Sequence, residues 1–401
     1  MYIKNVRKNV KNGKTILSAQ IESERFESTQ SVFFCYPEKY YDYIPENGDP
    51  FLPVVLIPAM IYKEDLNLEV PISQKMLNNQ WLIQDIFTTW YPDVCNRINV
   101  LTNEVINRPE VKLKNRNATF FSLGVDSMYT MLKYHRSNNP SSGKELSSLI
   151  YMKGLELPLS VYDKRQDIQV IQSIKRLASH YNLDVIIGET NIRDVFPLGW
   201  DTCYSGPGLS SVALSLSKGF DNIYIPSSHS YANLAANPSS PLTDGLWSNE
   251  HTKIIHDGCE VERAEKIEKL IMKDAFALNK LRVCIDNDGG DYNCGKCWKC
   301  VRTMVTLKIL GCLKNSGSFP DDLPAKYSLY LRTYNKSSLK FTQENLKLAI
   351  YYEDKEMEDL LNREIRIGKL DIMRDNKPIH FVFFEMLYYY RWKLLKRLGV
   401  S

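Results

Sequence analysis

Residues 117–135 read NATFFSLGVDSMYTMLKYH, and the order of chemistry along this stretch decides the fold. The apolar run Ala118–Phe121 predicts a strand, and the polar turn Ser122-Leu123-Gly124-Val125-Asp126-Ser127 follows it. Met128, Met131, Leu132 and His135 then recur at the spacing that lines one helix face. Ser127 or Asp126 suits the helix start, because a short oxygen-bearing side chain accepts from the N–H groups that lack intrahelical partners. Strand, tight turn and helix N-terminus together make a place where backbone donors and the helix dipole face an anion. Gly124 lets the backbone approach that anion, and Ser122 and Ser127 add hydroxyl donors.

Two familiar phosphate loops are excluded. No Gly-Lys-Ser/Thr follows, so this is not a Walker A loop, and the G-x-G-x-x-G of dinucleotide-binding folds is missing. The turn resembles the PP-loop of the ATP pyrophosphatase superfamily, S-G-G-x-D-S. Ser122, Gly124, Asp126 and Ser127 match it, and Leu123 replaces the first glycine. A Cβ at that turn is expected to narrow the phosphate pocket or to alter the pose of a nucleotide.

Downstream, strands and helices alternate. Leu149–Lys153, Val185–Gly188 and Ile223–Ile225 read as strands. Between them lie a helix carrying Ile168, Ile171, Ile174, Leu177, Ala178 and Tyr181, and another carrying Leu209, Val212, Ala213 and Leu216. Such repetition predicts a parallel, doubly wound sheet with right-handed crossovers. The loops Ser122–Ser127, Gly154–Pro158, Glu189–Asp194 and Ser227–Tyr231 should then share the ligand-binding rim beyond the strand C-termini. The segment His229–Glu260 reads as a long polar loop carrying His229, Asp244, Glu250, His251, His256, Asp257 and Glu260. Its residues either hydrogen-bond to one another or meet substrate or magnesium. No H-E-x-x-H is present, which disfavours a zinc protease.

Downstream of a helix expected over Val261–Leu278 comes the second strong pattern, Cys284, Cys294, Cys297 and Cys300, spaced C-x9-C-x2-C-x2-C. Overlapping C-x-x-C knuckles set thiolates on a tight curve, and four thiolates with no vacant position describe a structural zinc site. An Fe–S centre uses the same ligand type and stays open as the alternative. Lys296, Lys299 and Arg302 offset the negative charge of such a site.

Residues 1–110 read as an α+β module. It has short strands at Tyr2–Val6, Thr15–Ile21 and Val32–Tyr36, and a helix after Ser73 with Met76, Leu77, Trp81, Ile83, Ile86, Phe87 and Trp90 on a broad apolar face. Residues 111–315 form the phosphate-loop domain with its cysteine quartet, and 316–401 a helical region. Phe381–Leu398, aromatic and then basic, reads as an amphipathic helix that packs on its own domain, with a membrane surface or a partner as the alternatives. The net charge of +4 over 401 residues gives no reason to invoke nucleic acid. The longest apolar run, Leu52–Ile61, contains Pro53 and Pro58 and is too short to span a bilayer. No secretion signal is visible and four of nine cysteines cluster, so a reducing, cytoplasmic location is expected.

The two motifs in this order resemble the 7-cyano-7-deazaguanine synthase (QueC) family, over roughly residues 117–311. The resemblance implies an adenine nucleotide alpha-hydrolase-like sheet with a C-terminal zinc knuckle. By it, Ser122, Leu123, Gly124, Val125, Asp126 and Ser127 would contact ATP, and Cys284, Cys294, Cys297 and Cys300 would hold zinc. It further implies ATP-dependent activation of a carboxylate, with release of pyrophosphate and capture of the acyl-adenylate by ammonia or another amine. Mg2+ would bridge the phosphates. Asp126 is a contributor to that ion or a helix-capping group, and His229 with the polar loop supplies a general base. The flanking regions have no counterpart in the simple synthase. They point to a divergent relative in a specialised or defence pathway, with a protein partner as one role for them. Two other readings stand beside this one: a tRNA-modifying sulfur transferase of the PP-loop type, for which Cys203 is the unclustered thiol, and a nucleotide-binding subunit disabled by Leu123.

Overall fold

The computed structural model describes residues 1–106, 115–138, 143–161, 164–284, 292–331 and 336–374. Strands β1 (Tyr2–Lys11), β2 (Lys14–Glu22) and β3 (Gln30–Pro37) form an antiparallel meander, followed by helix α1 (Leu52–Tyr62) and strand β4 (Leu66–Leu68). Strand β5 (Ile72–Ser73), helix α2 (Gln74–Trp90), β6 (Val100–Thr102) and β7 (Val105–Ile106) come next. The alternating half runs β8 (Asn117–Phe120), α3 (Val125–Lys133), β9 (Leu146–Lys153), α4 (Lys164–His180) and β10 (Asp184–Thr190). It continues through α5 (Ile192–Val195), α6 (Ser205–Ser215), β11 (Asn222–Pro226) and β12 (Lys253–Asp257). Helices α7 (Arg263–Lys269), α8 (Ala275–Leu278), α9 (Trp298–Ile309), α10 (Lys336–Tyr351) and α11 (Lys355–Arg374) complete the described chain.

One ten-stranded, mostly parallel sheet organises these elements, in the order β12-β11-β8-β9-β10-β3-β2-β1-β4-β6. Strands β8 to β12 are all parallel. Numbered by appearance they stand 3-2-1-4-5, so the order reverses between β8 and β11. Open α/β sheets bind ligands in the crevice beyond such a reversal.

The N-terminal strands extend this same sheet. β3 pairs antiparallel with β10, setting Cys35 opposite Glu189 and Phe34 opposite Thr190. A single apolar cluster runs from Ile3, Leu17 and Phe34 to Ile186, Val212 and Ile223. Helix α1 is buried along almost its whole length within that cluster, which accounts for its uniformly apolar sequence despite Pro58. On α2, Met76, Ile83 and Phe87 face inward with Gln80 and Gln84, whereas Trp81 is exposed. A second cluster joins α3 and α4 to the cysteine region, and a third joins α9 to α10 and α11.

Two expectations need correction. The polar segment 229–260 is not all loop: Lys253–Asp257 forms β12, parallel to β11. The continuous helix expected over 261–278 is broken into α7, a tight turn at Ile271–Lys273 and α8, whose start is capped by the Asp274 carboxylate accepting from Ala277 N. The amphipathic stretch Phe381–Leu398 lies outside the described residues. No helix among the described residues is long and apolar enough to cross a membrane.

Candidate functional site

Strand β8 delivers the chain to the reversal point, and α3 leaves from it. Between them Leu123 adopts the left-handed conformation, with φ of 66°, while Gly124 is extended and serves as the N-cap of α3. Neither Asp126 nor Ser127 is the cap. The Leu123 side chain is fully buried, in the cluster with Leu281, Val283 and Met304. Left-handed backbone costs a branched residue about 1–2 kcal/mol, and burial of the leucine offsets it. Ser122 and Ser127 define the polar side of the loop. Ser127 Oγ accepts from Ser122 N at 3.3 Å and donates to the Gly124 carbonyl at 3.1 Å.

Asp126 lies in the first turn of α3 and is gripped by cations. Arg263 Nη1 donates to one carboxylate oxygen, Lys266 Nζ to the other at 3.0 Å, and Ser228 Oγ contributes at 3.2 Å. Burial opposes its ionisation, yet Arg263, Lys266 and Arg302 hold the carboxyl well below the usual carboxylate range. Lys266 also donates to the Ser227 carbonyl, which ties α7 to the loop after β11. The loops after β8 and β11 thus meet on one rim, as the parallel topology requires. On the other side of the sheet reversal, Arg193 Nη1 donates to Leu155 O at 3.1 Å and Asp194 accepts from Leu159 N at 3.0 Å. Those contacts join the loops after β9 and β10.

His229 sits on this rim, its ring stacked on Phe341 of α10 at 5.8 Å between centroids. Burial lowers its pKa, and Lys340, Lys266 and Arg302 press in the same direction against Asp126. The imidazole is therefore kept neutral.

The other polar residues of segment 229–260 bind the scaffold. Asp257 accepts from Thr130 at 2.7 Å, Lys133 at 2.8 Å and Tyr134 at 2.9 Å, fastening β12 to α3. Glu260 accepts from Tyr129 and Lys133. Glu250 accepts from Lys75 N at the start of α2. His256 Nδ1 meets Asp244 at 2.7 Å, both side chains being buried. Cys203 is buried in the Trp200–Tyr204 turn, where its thiol donates to Gly199 O.

The four cysteines converge. Their sulfurs all lie within 4.8 Å of one another, with Cys284–Cys297 at 4.0 Å and Cys294–Cys300 at 3.9 Å. A tetrahedral thiolate site with metal–sulfur bonds of about 2.3 Å needs sulfurs separated by about 3.8 Å, so the quartet suits a metal ion such as zinc. Backbone N–H groups of Cys294, Cys297 and Cys300 donate to the sulfurs of Cys284, Cys294 and Cys297. Gly295, with φ of 68° and Pro320 Cγ 2.6 Å from where a Cβ would stand, supplies the turn between the first two knuckle cysteines. Cys297 caps α9. The Cys297 thiol, burial and the charges of the other sulfurs push Cys300 far above the ordinary thiol range. A bound cation would favour the thiolate form instead.

Sequence reading did not assign Arg263 or Lys266 to the loop. Both lie on one face of α7 at i and i+3, a spacing visible in the sequence, but nothing local shows which helix faces α3. Arg302, expected to offset the cysteine charge, does lie in the field of Cys297. It is also buried between the Phe341 ring, 3.9 Å from its guanidinium carbon, and that of Trp298, at 4.5 Å.

Comparisons with family models, curated proteins and solved structures returned no match. The resemblance named above therefore stands on its motif residues alone.

Proposed function

We propose that this chain is an ATP-dependent adenylating enzyme of the PP-loop type, which activates a carboxylate for amide or nitrile formation. The observation carrying the reading is the position of the Ser122–Ser127 turn. It opens α3 at the reversal of a parallel sheet, with Lys266 and Arg263 alongside. A carboxylate oxygen of the substrate attacks the α-phosphorus of ATP, and the bond to the bridging oxygen of pyrophosphate breaks. Backbone N–H groups of the loop, Ser122, Ser127 and the two cations stabilise the departing charge. Ammonia or an amine then attacks the acyl carbon, and AMP leaves with the electrons of the C–O bond. Neutral His229 is the group suited to take the amine's surplus proton.

Mg2+ would supply neutralising charge to the phosphates, and Cys284, Cys294, Cys297 and Cys300 would hold zinc at the start of α9. A 7-deazaguanine-type carboxylate is the substrate class that the motif resemblance favours. Incubation with Mg-ATP, ammonium and 7-carboxy-7-deazaguanine, followed by mass spectrometry, tests it. AMP, pyrophosphate and a mass-shifted deazapurine are expected, whereas ADP overturns the reading.

A further inference from the structure

We propose that the cleft between α7, α9 and α10 is an oxyanion seat. It takes a phosphoryl or carboxylate group on Arg302 and Arg263, with α10 as its wall. The cleft is lined by Arg263, Ile267, Arg302, Thr303, Phe341 and Asn345, among others. Arg302 is 9% exposed, and its Nε and Nη1 have no hydrogen-bond partner among the described residues. Two aromatic rings cover the guanidinium, Phe341 at 3.9 Å and Trp298 at 4.5 Å. Such contacts attract the positive charge but leave in-plane N–H donors unsatisfied. Arg263 repeats the pattern: Nη1 pairs with Asp126, while its buried Nε has no partner.

Buried donors without acceptors are rare in folded proteins, and three of them, on two arginines of one cleft, point to a group that arrives from outside. The charges agree. Arg263 and Lys266 both pair with Asp126, Arg302 lies in the field of Asp126 and Glu344, and Lys340 adds its field at His229. The one carboxyl lining the cleft, Glu344, accepts from Arg263 N at 3.0 Å. Burial pushes it up to about 7, so it neutralises the arginines only in part. Asn345 is held by Thr306 Oγ1 at 2.6 Å and donates to Arg302 O, which fixes α10 against α9. Guanidinium groups suit planar or tetrahedral oxyanions through parallel N–H donors.

The seat adjoins the proposed nucleotide loop but rests on its own observation, so the two can fail separately. Calorimetric titration of the zinc-loaded chain with inorganic pyrophosphate, benzoate and ATP tests it. The pyrophosphate and benzoate arms tell a phosphoryl from a carboxylate ligand. At least one of these two is expected to bind the wild-type chain, and Arg302→Gln should weaken it by about 10- to 100-fold, the effect of losing one charge-assisted contact. Arg302→Lys keeps charge and helix packing while removing the fork, and should also bind more weakly. Thermal melting and zinc content establish that each variant is folded. Unchanged affinity in folded Arg302→Gln, or binding of neither anion to wild type, overturns the seat. Arg302-dependent anion binding without ATP binding supports the seat and removes the nucleotide reading.

Discussion

The backbone N–H of Arg282 donates to the carbonyl of Leu123 at 2.9 Å. That bond joins the Ser122–Ser127 turn to the segment that supplies Cys284. Leu281 and Val283 flank it in the core that receives the Leu123 side chain. The two sequence motifs are thus neighbours in space, and one shared apolar cluster supports both.

Leu123 holds a glycine-like conformation with a leucine's buried side chain, so its replacements should rank unusually. Leu123→Ala keeps the strain and opens a cavity, at about 2–5 kcal/mol. Leu123→Gly also loses the side chain but regains about 1–2 kcal/mol of backbone strain. Urea unfolding should find the glycine variant at least as stable as the alanine one. The reverse order would show that the left-handed turn carries no strain.

Asp126 is ionised against Arg263 and Lys266. Its folded pKa is lowered, so its stabilisation is present above the unfolded carboxylate pKa and is lost as pH falls toward the folded value. Asp126→Asn leaves two cations facing each other and should cost about 3–5 kcal/mol at neutral pH. The difference from wild type should shrink as the buffer is acidified below about pH 4. A pH-independent difference would assign the loss to packing.

His256 titrates in the opposite sense. Burial alone would lower it, but the Asp244 carboxylate at 2.7 Å, with Cys259 nearby, raises it to about 9. The stabilisation is complete below the unfolded value of about 6.5 and disappears as pH rises through 9, on the order of 3 kcal/mol in all. Melting temperature followed from pH 6 to pH 10 should fall for wild type and stay flatter for His256→Gln.

The cysteine quartet predicts about one zinc per chain by elemental analysis. Chelation or Cys300→Ser should lower the melting temperature and loosen α9, seen as faster amide exchange over Trp298–Ile309. Iron with visible absorbance would reassign the metal and leave the geometric role of the site in place.

The alternating half was legible because its strands are short, apolar and separated by amphipathic helices. The cysteine site was legible from spacing alone. β12 was hidden by its own chemistry: Lys253, His256 and Asp257 make a sheet-edge strand look like a polar loop, and its apolar content is only Ile254 and Ile255. The cap of α3 was misassigned because a side-chain oxygen is only one way to start a helix; here Gly124 starts it and Asp126 is drawn to α7. The cations of the rim come from α7 and α9, so only tertiary packing reveals them. Most acids and histidines of segment 229–260 fasten the scaffold, as Asp257 does for α3.

The pairing of β3 with β10 has a mechanical consequence. A hinge between two lobes needs a line across which few bonds run, and here a ladder of backbone bonds and one continuous core cross it. The ten strands form one continuous sheet. Above the rim, α10 rests on α7 and α9 through side-chain contacts such as Glu344 and Asn345, not through a sheet ladder. A backbone cut between residues 107 and 114 would leave two fragments still stitched edge to edge.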